Sequence, residues 1–157
     1  MKCEADRIFL KEQLELAKVV AQEAHKGQFR KDGVTPYITH PEAVANLVGS
    51  RDDVEDKCVA WLHDVLEDTE LDFKALLEKG VYHKIARRVL NLSRFQGENY
   101  FDYIHRVKGD SVKIADISHN IFTLYGVPEK DRKSMLKRYS KALQILAGVR
   151  EQEMEYC

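Results

Sequence analysis

Apolar residues recur at intervals of three and four along almost the whole chain, and beta-branched residues seldom alternate with polar ones over a useful span. A spacing of three and four lines one face of a helix, whereas a half-buried strand needs a period of two. The chain therefore reads as all-α. Leu10, Leu14, Ala17, Ala21 and Ala24 mark a first helix that should end near Gly27. Gly27 to Pro41 should be irregular, with Gly33 and Pro36 as punctuation. Pro41 should then open a short helix through Val44, Leu47 and Val48 that stops at Gly49. Asp52 or Asp53 can cap the next helix, whose apolar face is Val54, Cys58, Leu62, Val65 and Leu66.

Further along, Asp72 or Thr69 should start a short helix through Leu76 and Leu77 to Gly80, and Ile85, Val89 and Leu92 line another. Tyr100, Tyr103, Ile104 and Val107 predict a helix that stops at Gly109. Asp110 or Ser111 can cap a helix from Val112 to Tyr125, expected to be enclosed on most sides because Val112, Ala115 and Phe122 lie off its main apolar stripe. A last helix after Pro128 should turn Met135, Leu136, Tyr139, Leu143 and Leu146 against the rest. At 157 residues the chain suits one domain over 1–157, built as a helical bundle.

The segment Trp61-Leu62-His63-Asp64-Val65-Leu66-Glu67-Asp68 sets charged groups among apolar ones. On a continuous helix His63 stands over Glu67 and Asp64 over Asp68, so four metal-competent or proton-transferring groups share one side. Charged side chains are seldom placed in apolar surroundings without a partner, and a divalent cation is the simplest partner for histidines and carboxylates together. The pattern reads as a metal-centred hydrolase.

Other residues can join that site. Asp116 and Asn120 lie one turn apart inside the enclosed helix, where Asp116 is either a ligand or a structural carboxylate bonded by Lys113. His40, in Pro36-Tyr37-Ile38-Thr39-His40-Pro41 immediately before a helix, is either a rigid ligand or a solvent-facing cap. His119 suits packing or a bond to a ligating group better than ligation itself. His25 complements the end of the first helix and can also reach the site, whereas His83 and His105 read as surface positions. Arg30 and Lys31 can hold an anion, by a planar fork and a point charge, or be a solvated loop pair.

The remaining features narrow the partners. Basic and acidic residues number 25 and 26, for a net charge of −1, which gives no support to a nucleic-acid or membrane partner. The six basic residues between Lys130 and Lys141 are interrupted at helical spacing, as on an ordinary amphipathic surface. No apolar run has the length of a membrane-spanning helix and the first residues do not form a signal peptide, so a cytoplasmic location is expected. Cys3, Cys58 and Cys157 show no metal-type spacing, and Cys58 reads as a core residue. The oligomeric state is open.

Four ordered blocks carry a resemblance: Ala24 to Gly33, Pro36 to Pro41, Leu62 to Thr69, and Val112 to Asp116 followed by Asn120. Over roughly residues 10–146 the chain resembles the HD-domain phosphohydrolases, and within them the Rel/Spo-type alarmone pyrophosphohydrolases in their small stand-alone form. The resemblance implies an all-helical HD-domain bundle with His40, His63, Asp64 and Asp116 as ligands of one divalent metal, usually Mn²⁺. It implies that Glu67 and Asp68 orient the attacking water and handle its proton. Arg30 and Lys31 would line the base and phosphate pocket, and Asn120 and Thr123 would contact ribose or phosphate. The implied reaction is hydrolysis of guanosine 3′,5′-bis(diphosphate), or its pentaphosphate relative, with release of pyrophosphate from the 3′ position.

The match departs from the Rel/Spo pattern where Ile117 and Phe122 replace two arginines and where Leu92-Ser93-Arg94 stands in place of Leu-Thr-Lys. Fewer cations near a polyphosphate pocket would weaken affinity for a highly charged nucleotide. The alternative is an HD-domain phosphohydrolase acting on another nucleotide or phosphate ester.

Overall fold

The computed structural model describes residues 4–49 and 53–148; Cys3, Cys157 and the alternative cap Asp52 lie outside them. Among the described residues the chain forms α1 (Glu4–Ala24), α2 (Thr39–Leu47), α3 (Val54–Leu62), α4 (Val65–Asp68), α5 (Phe73–Glu78), α6 (His83–Leu92), α7 (Tyr100–Arg106), α8 (Ser111–Phe122) and α9 (Glu129–Ala147). A 3-10 turn at Leu124–Gly126 precedes the last helix. The fold is an all-α bundle. Its β-type pairing among the described residues is one isolated antiparallel bridge between Phe29 and Pro36.

The bundle is organised on α3, which packs against α1, α2, α6 and α8. Cys58, Val59, Ala60 and Leu62 are buried together, so this helix has apolar neighbours on most of its circumference. Each fully buried Leu, Val or Ile contributes about 1.5–3 kcal/mol. α8 crosses α2 and α9 and carries Val112, Ala115 and Ile117 into the same core.

Polar caps set the helix starts. The Asp72 carboxylate accepts from the Ala75 amide at 2.7 Å, Asn99 from Phe101 at 2.9 Å, and Asp110 from Val112 and Lys113 at 2.9 and 3.2 Å. Asp53 precedes α3 but makes no side-chain cap. Gly109 turns the chain from α7 to α8 at φ +82°, a conformation that disfavours a side chain, and its amide donates to the Leu146 carbonyl of α9. The Arg88 guanidinium on α6 ties Asp56 of α3 to the Asp110 cap, with the Ser111 hydroxyl also donating to Asp56.

Several sequence expectations are corrected. α2 begins at Thr39, before Pro41, because the Thr39 and His40 amides bond back to the Pro36 and Tyr37 carbonyls. Pro41 is tolerated there because the first helical turn has no partner for its missing amide. His40 thus lies inside the first turn and is 1% exposed, so it is no solvent-facing cap.

The helix through Trp61 is not continuous. It breaks at His63-Asp64 between α3 and α4. The His63 ring Nδ1 donates to the Ala60 carbonyl at 2.7 Å, the acceptor that the Asp64 amide would use in an unbroken helix. Similarly, α8 ends at Phe122 rather than Tyr125. The Thr123 hydroxyl bonds the His119 carbonyl and the chain tightens into the 3-10 turn, leaving Phe122 77% exposed rather than enclosed. On α9, Leu136 faces outward while Met135, Tyr139, Leu143 and Leu146 pack inward.

The segment from Gly27 to Ile38 is more ordered than its composition suggests. The Arg30 amide donates to the Thr35 carbonyl and the Tyr37 amide to the Gln28 carbonyl, on either side of the Phe29–Pro36 bridge. The Asp32 carboxylate accepts from the Val34 and Thr35 amides and from the Thr35 hydroxyl. This closed loop aims Arg30 and Tyr37 back at the bundle.

Candidate metal centre

Three elements converge on one buried point: α2 brings His40, the α3–α4 break brings His63 and Asp64, and α8 brings Asp116. The donor atoms of His40, His63 and Asp64 all lie within 4.8 Å of one another, a cluster able to hold a metal ion. His40 Nε2 is 3.5 Å from Asp64 Oδ2 and 3.1 Å from Asp116 Oδ1. His63 Nε2 is 3.0 Å from Asp64 Oδ2 and 3.8 Å from Asp116 Oδ1.

The proton positions suit a cation. Because His63 Nδ1 donates to a carbonyl, the neutral ring presents a bare Nε2 toward the cluster. That atom is buried and makes no hydrogen bond of good geometry, although Asp64 Oδ2 is 3.0 Å away, so a bare nitrogen there would be satisfied by a metal. A cation at His40 Nε2 likewise requires the hydrogen on Nδ1, and His119 Nδ1 stands 2.7 Å away as its acceptor. Two imidazole nitrogens with carboxylate oxygens form a donor set suited to a borderline or hard divalent ion.

Electrostatics divide the two histidines, and a cation would have to displace a proton from His63. Burial holds the His40 ring below the ordinary histidine range, and burial with the nearby His40 and Arg30 charges pushes His119 down to about 4. Burial also opposes charging His63, but the Asp64 and Asp116 carboxylates outweigh it and hold its pKa well above the usual value. Asp64 and Asp116 stay well below the ordinary carboxylate range despite burial, through His63 for the first and Lys113 for the second. Lys113 Nζ donates to Asp116 Oδ2 at 2.7 Å while Asn120 Nδ2 donates to Oδ1 at 2.6 Å. Asp116 therefore has the Lys113 bond that a structural carboxylate would have, and it also faces both histidines.

Glu67 and Asp68 line the same cleft but are more exposed. Burial raises both carboxyl pKa values, and the Asp64 charge raises Asp68 further. Glu67 accepts from the Arg94 amide at 3.0 Å. The Tyr37 hydroxyl spans Asp64 and Asp68, at 2.7 and 2.9 Å. Sequence reasoning gave Tyr37 no role of its own. The signal available was its place three residues before His40, which puts it beside the ring at a centroid distance of 5.9 Å.

Arg30, Asn120 and Thr123 come together as well. Arg30 Nη2 donates to Asn120 Oδ1 at 3.0 Å and to Thr123 Oγ at 3.2 Å, which links the loop through Asn120 to Asp116. Lys31 is exposed, with its ammonium 3.9 Å from Met135 Sδ. Arg30 and Lys31 border both a half-open chamber of about 200 Å³, lined also by Thr123, Tyr125 and Met135, and the more open metal cleft of about 340 Å³. His25 is buried against the Tyr37 ring and bonds Gln28 without joining the cluster, and His83 and His105 are exposed.

The helical bundle and its buried His/His/Asp cluster are HD-domain-like in fold and in donor set. No family model matches the chain. The bifunctional (p)ppGpp synthase/hydrolase SpoT of Escherichia coli is 35% identical over 136 residues, taking in 76% of this chain and 19% of that protein. A guanosine-3′,5′-bis(diphosphate) 3′-pyrophosphohydrolase of Vibrio cholerae is 34% identical over 152 residues, 87% of this chain and 21% of its own. The chain thus spans about a fifth of the length of these curated relatives. The solved structure of a metazoan ortholog of SpoT, described as hydrolyzing ppGpp with a role in starvation responses, superposes with a TM-score of 0.70 at 20% identity and 88% coverage of both chains. Within the HD class, this chain is homologous to the SpoT/Rel ppGpp hydrolases.

Proposed function

We propose that this chain hydrolyses guanosine 3′,5′-bis(diphosphate), or its pentaphosphate relative, releasing pyrophosphate from the 3′ position. The observation that carries the reading is the convergence of His40, His63 and Asp64 in a cleft that also contains Glu67, Asp68, Arg30 and Lys31. Homology to ppGpp hydrolases supports the substrate. Residues 1–157 act as one domain, family-like over about 10–146. The protein works in the cytoplasm on a small nucleotide, with neither nucleic acid nor membrane as partner.

His40, His63, Asp64 and Asp116 would hold the ion, Mn²⁺ in this reading. A bound divalent cation supplies charge stabilisation at phosphorus and lowers the pKa of coordinated water. Glu67 and Asp68 orient the attacking water and take its proton, a task favoured by carboxyl pKa values that burial raises above their ordinary range. The water oxygen bonds to phosphorus as the bond to O3′ breaks, and O3′ leaves with a proton. Tyr37 holds the Asp68 carboxylate in register with Asp64. Arg30, with Asn120 and Thr123, borders the chamber that receives the nucleoside, and Lys31 places a point charge at its mouth.

A second reading keeps the metal chemistry on another nucleotide or phosphate ester. It is favoured by Ile117 and Phe122, which put no cation where the Rel/Spo pattern has arginines, and by the outward aspect of Phe122 beside the chamber. The experiment that separates them offers guanosine tetraphosphate and a nucleotide panel to the purified protein with Mn²⁺, following pyrophosphate and orthophosphate. The first reading expects pyrophosphate from the tetraphosphate. Orthophosphate from monophosphates with no tetraphosphate turnover would reject it.

A further inference from the structure

The metal cleft contains a cation and a hydroxyl that the proposed chemistry has not used. Arg138, an exposed residue of α9, lines the cleft, its guanidinium 5.3 Å from the Tyr100 ring centroid and 5.1 Å from that of Tyr139. Among the described residues it makes no ion pair and no hydrogen bond. The other cations of the cleft differ. Arg30 is committed to Asn120 and Thr123, Lys113 to Asp116, and Arg94 to a backbone carbonyl. Lys31 has only the 3.9 Å contact to Met135 Sδ, but it also borders the half-open chamber, which Arg138 does not.

Tyr100 supplies an independent observation. Its hydroxyl is buried and has no hydrogen-bond partner, although the residue lines the same cleft and its ring carries the Arg138 guanidinium. A buried hydroxyl without an acceptor, beside a guanidinium whose donors are unclaimed, matches an anionic oxygen acceptor. The Tyr100 and Tyr139 rings lie within cation–π distance of the guanidinium and favour its position over the cleft.

We infer that Arg138 and Tyr100 form a subsite for the outer phosphate of a diphosphate group whose inner phosphate faces the metal cluster. The inference rests on the proposed hydrolysis and sharpens it, since the cleft would then select a diphosphate over a single phosphate. It also places a cation on α9 for a substrate whose pocket lacks arginines at positions 117 and 122.

The test is equilibrium binding of inorganic pyrophosphate and of orthophosphate to the Mn²⁺-loaded full chain at fixed free Mn²⁺, for wild type, R138M and Y100F. Met preserves the apolar stem over the rings, and Phe removes the hydroxyl alone. Wild type should prefer pyrophosphate. R138M should weaken pyrophosphate binding about 10- to 100-fold and Y100F about 3- to 10-fold, with orthophosphate changed less than about threefold. Equal losses for both anions, unchanged pyrophosphate affinity in R138M, or no wild-type preference would overturn the inference. If the preference exists and the variants abolish it, yet no bis(diphosphate) nucleotide is turned over, the subsite stands and the proposed substrate falls.

Discussion

His40 and His119 meet nitrogen to nitrogen, Nδ1 to Nδ1, at 2.7 Å, and this contact governs which nitrogen of His40 can face the cluster. With the hydrogen on Nδ1, shared toward His119, His40 Nε2 is bare toward Asp64 and Asp116. Replacing His119 with phenylalanine keeps a ring but removes the acceptor. H119F should lower Mn²⁺ affinity about 10- to 100-fold by calorimetry, with the helical content by circular dichroism unchanged. Wild-type affinity in H119F would remove His119 from the support of the site.

Asp64 and Glu67 should separate metal retention from chemistry. Asp64→Ala removes a carboxylate within reach of both histidines and should abolish metal retention and turnover together. Glu67→Gln keeps an oxygen for the Arg94 amide and loses only the proton acceptor. It should bind Mn²⁺ nearly as wild type while hydrolysis slows about 10²- to 10⁴-fold. Undiminished turnover in Glu67→Gln would remove Glu67 from the proton transfer.

Metal affinity should depend on pH with a defined sign. Without a cation, the Asp64 and Asp116 carboxylates overcome burial and keep His63 protonated well above the ordinary histidine value. An incoming cation must displace that proton, so affinity should rise as pH rises, by about tenfold per unit below that pKa. Calorimetry in buffers of different ionisation enthalpy should register the released proton. A pH-independent affinity without proton release would contradict ligation by His63.

Stability should respond to the Arg88 hub, away from the cleft. Burial acts to raise the Asp56 pKa, but the Ser111 hydroxyl and Arg88 outweigh it and hold the carboxyl below its ordinary range. A depressed carboxylate contributes stability that is present above its unfolded pKa of about 3.9 and lost as pH falls through the lower folded value. D56N should lose about 2–4 kcal/mol in urea unfolding at pH 7, and its deficit relative to wild type should shrink below about pH 4. A constant deficit across that range would mean that the charge of Asp56 is not what Arg88 recognises.

Much of this architecture is legible in the residues, for identifiable reasons. Three- and four-residue spacing marks the helices, and Asp72 and Asp110 mark two starts because a short carboxylate there bonds free amides. Asp116 stands out because an apolar helix has no reason to carry an unpartnered carboxylate. The His63-Asp64 break was not legible, since spacing alone cannot register that the His63 ring takes the Ala60 carbonyl.

The outward aspects of Phe122 and Leu136 were hidden as well. Each lies at the edge of an apolar stripe, where the neighbouring helix decides burial. Convergence of the Tyr37 loop on Asp64 and Asp68 needed tertiary structure, because 27 and 31 residues separate the partners.

An anomalous difference map from Mn²⁺-soaked crystals of this protein would locate the ion itself. One dominant peak is expected, within roughly 2.0–2.3 Å of His40 Nε2, His63 Nε2 and oxygens of Asp64 and Asp116, the usual reach of small divalent ions to such donors. A peak elsewhere, or one that leaves the two histidines and Asp116 uncoordinated, would contradict this ligand set.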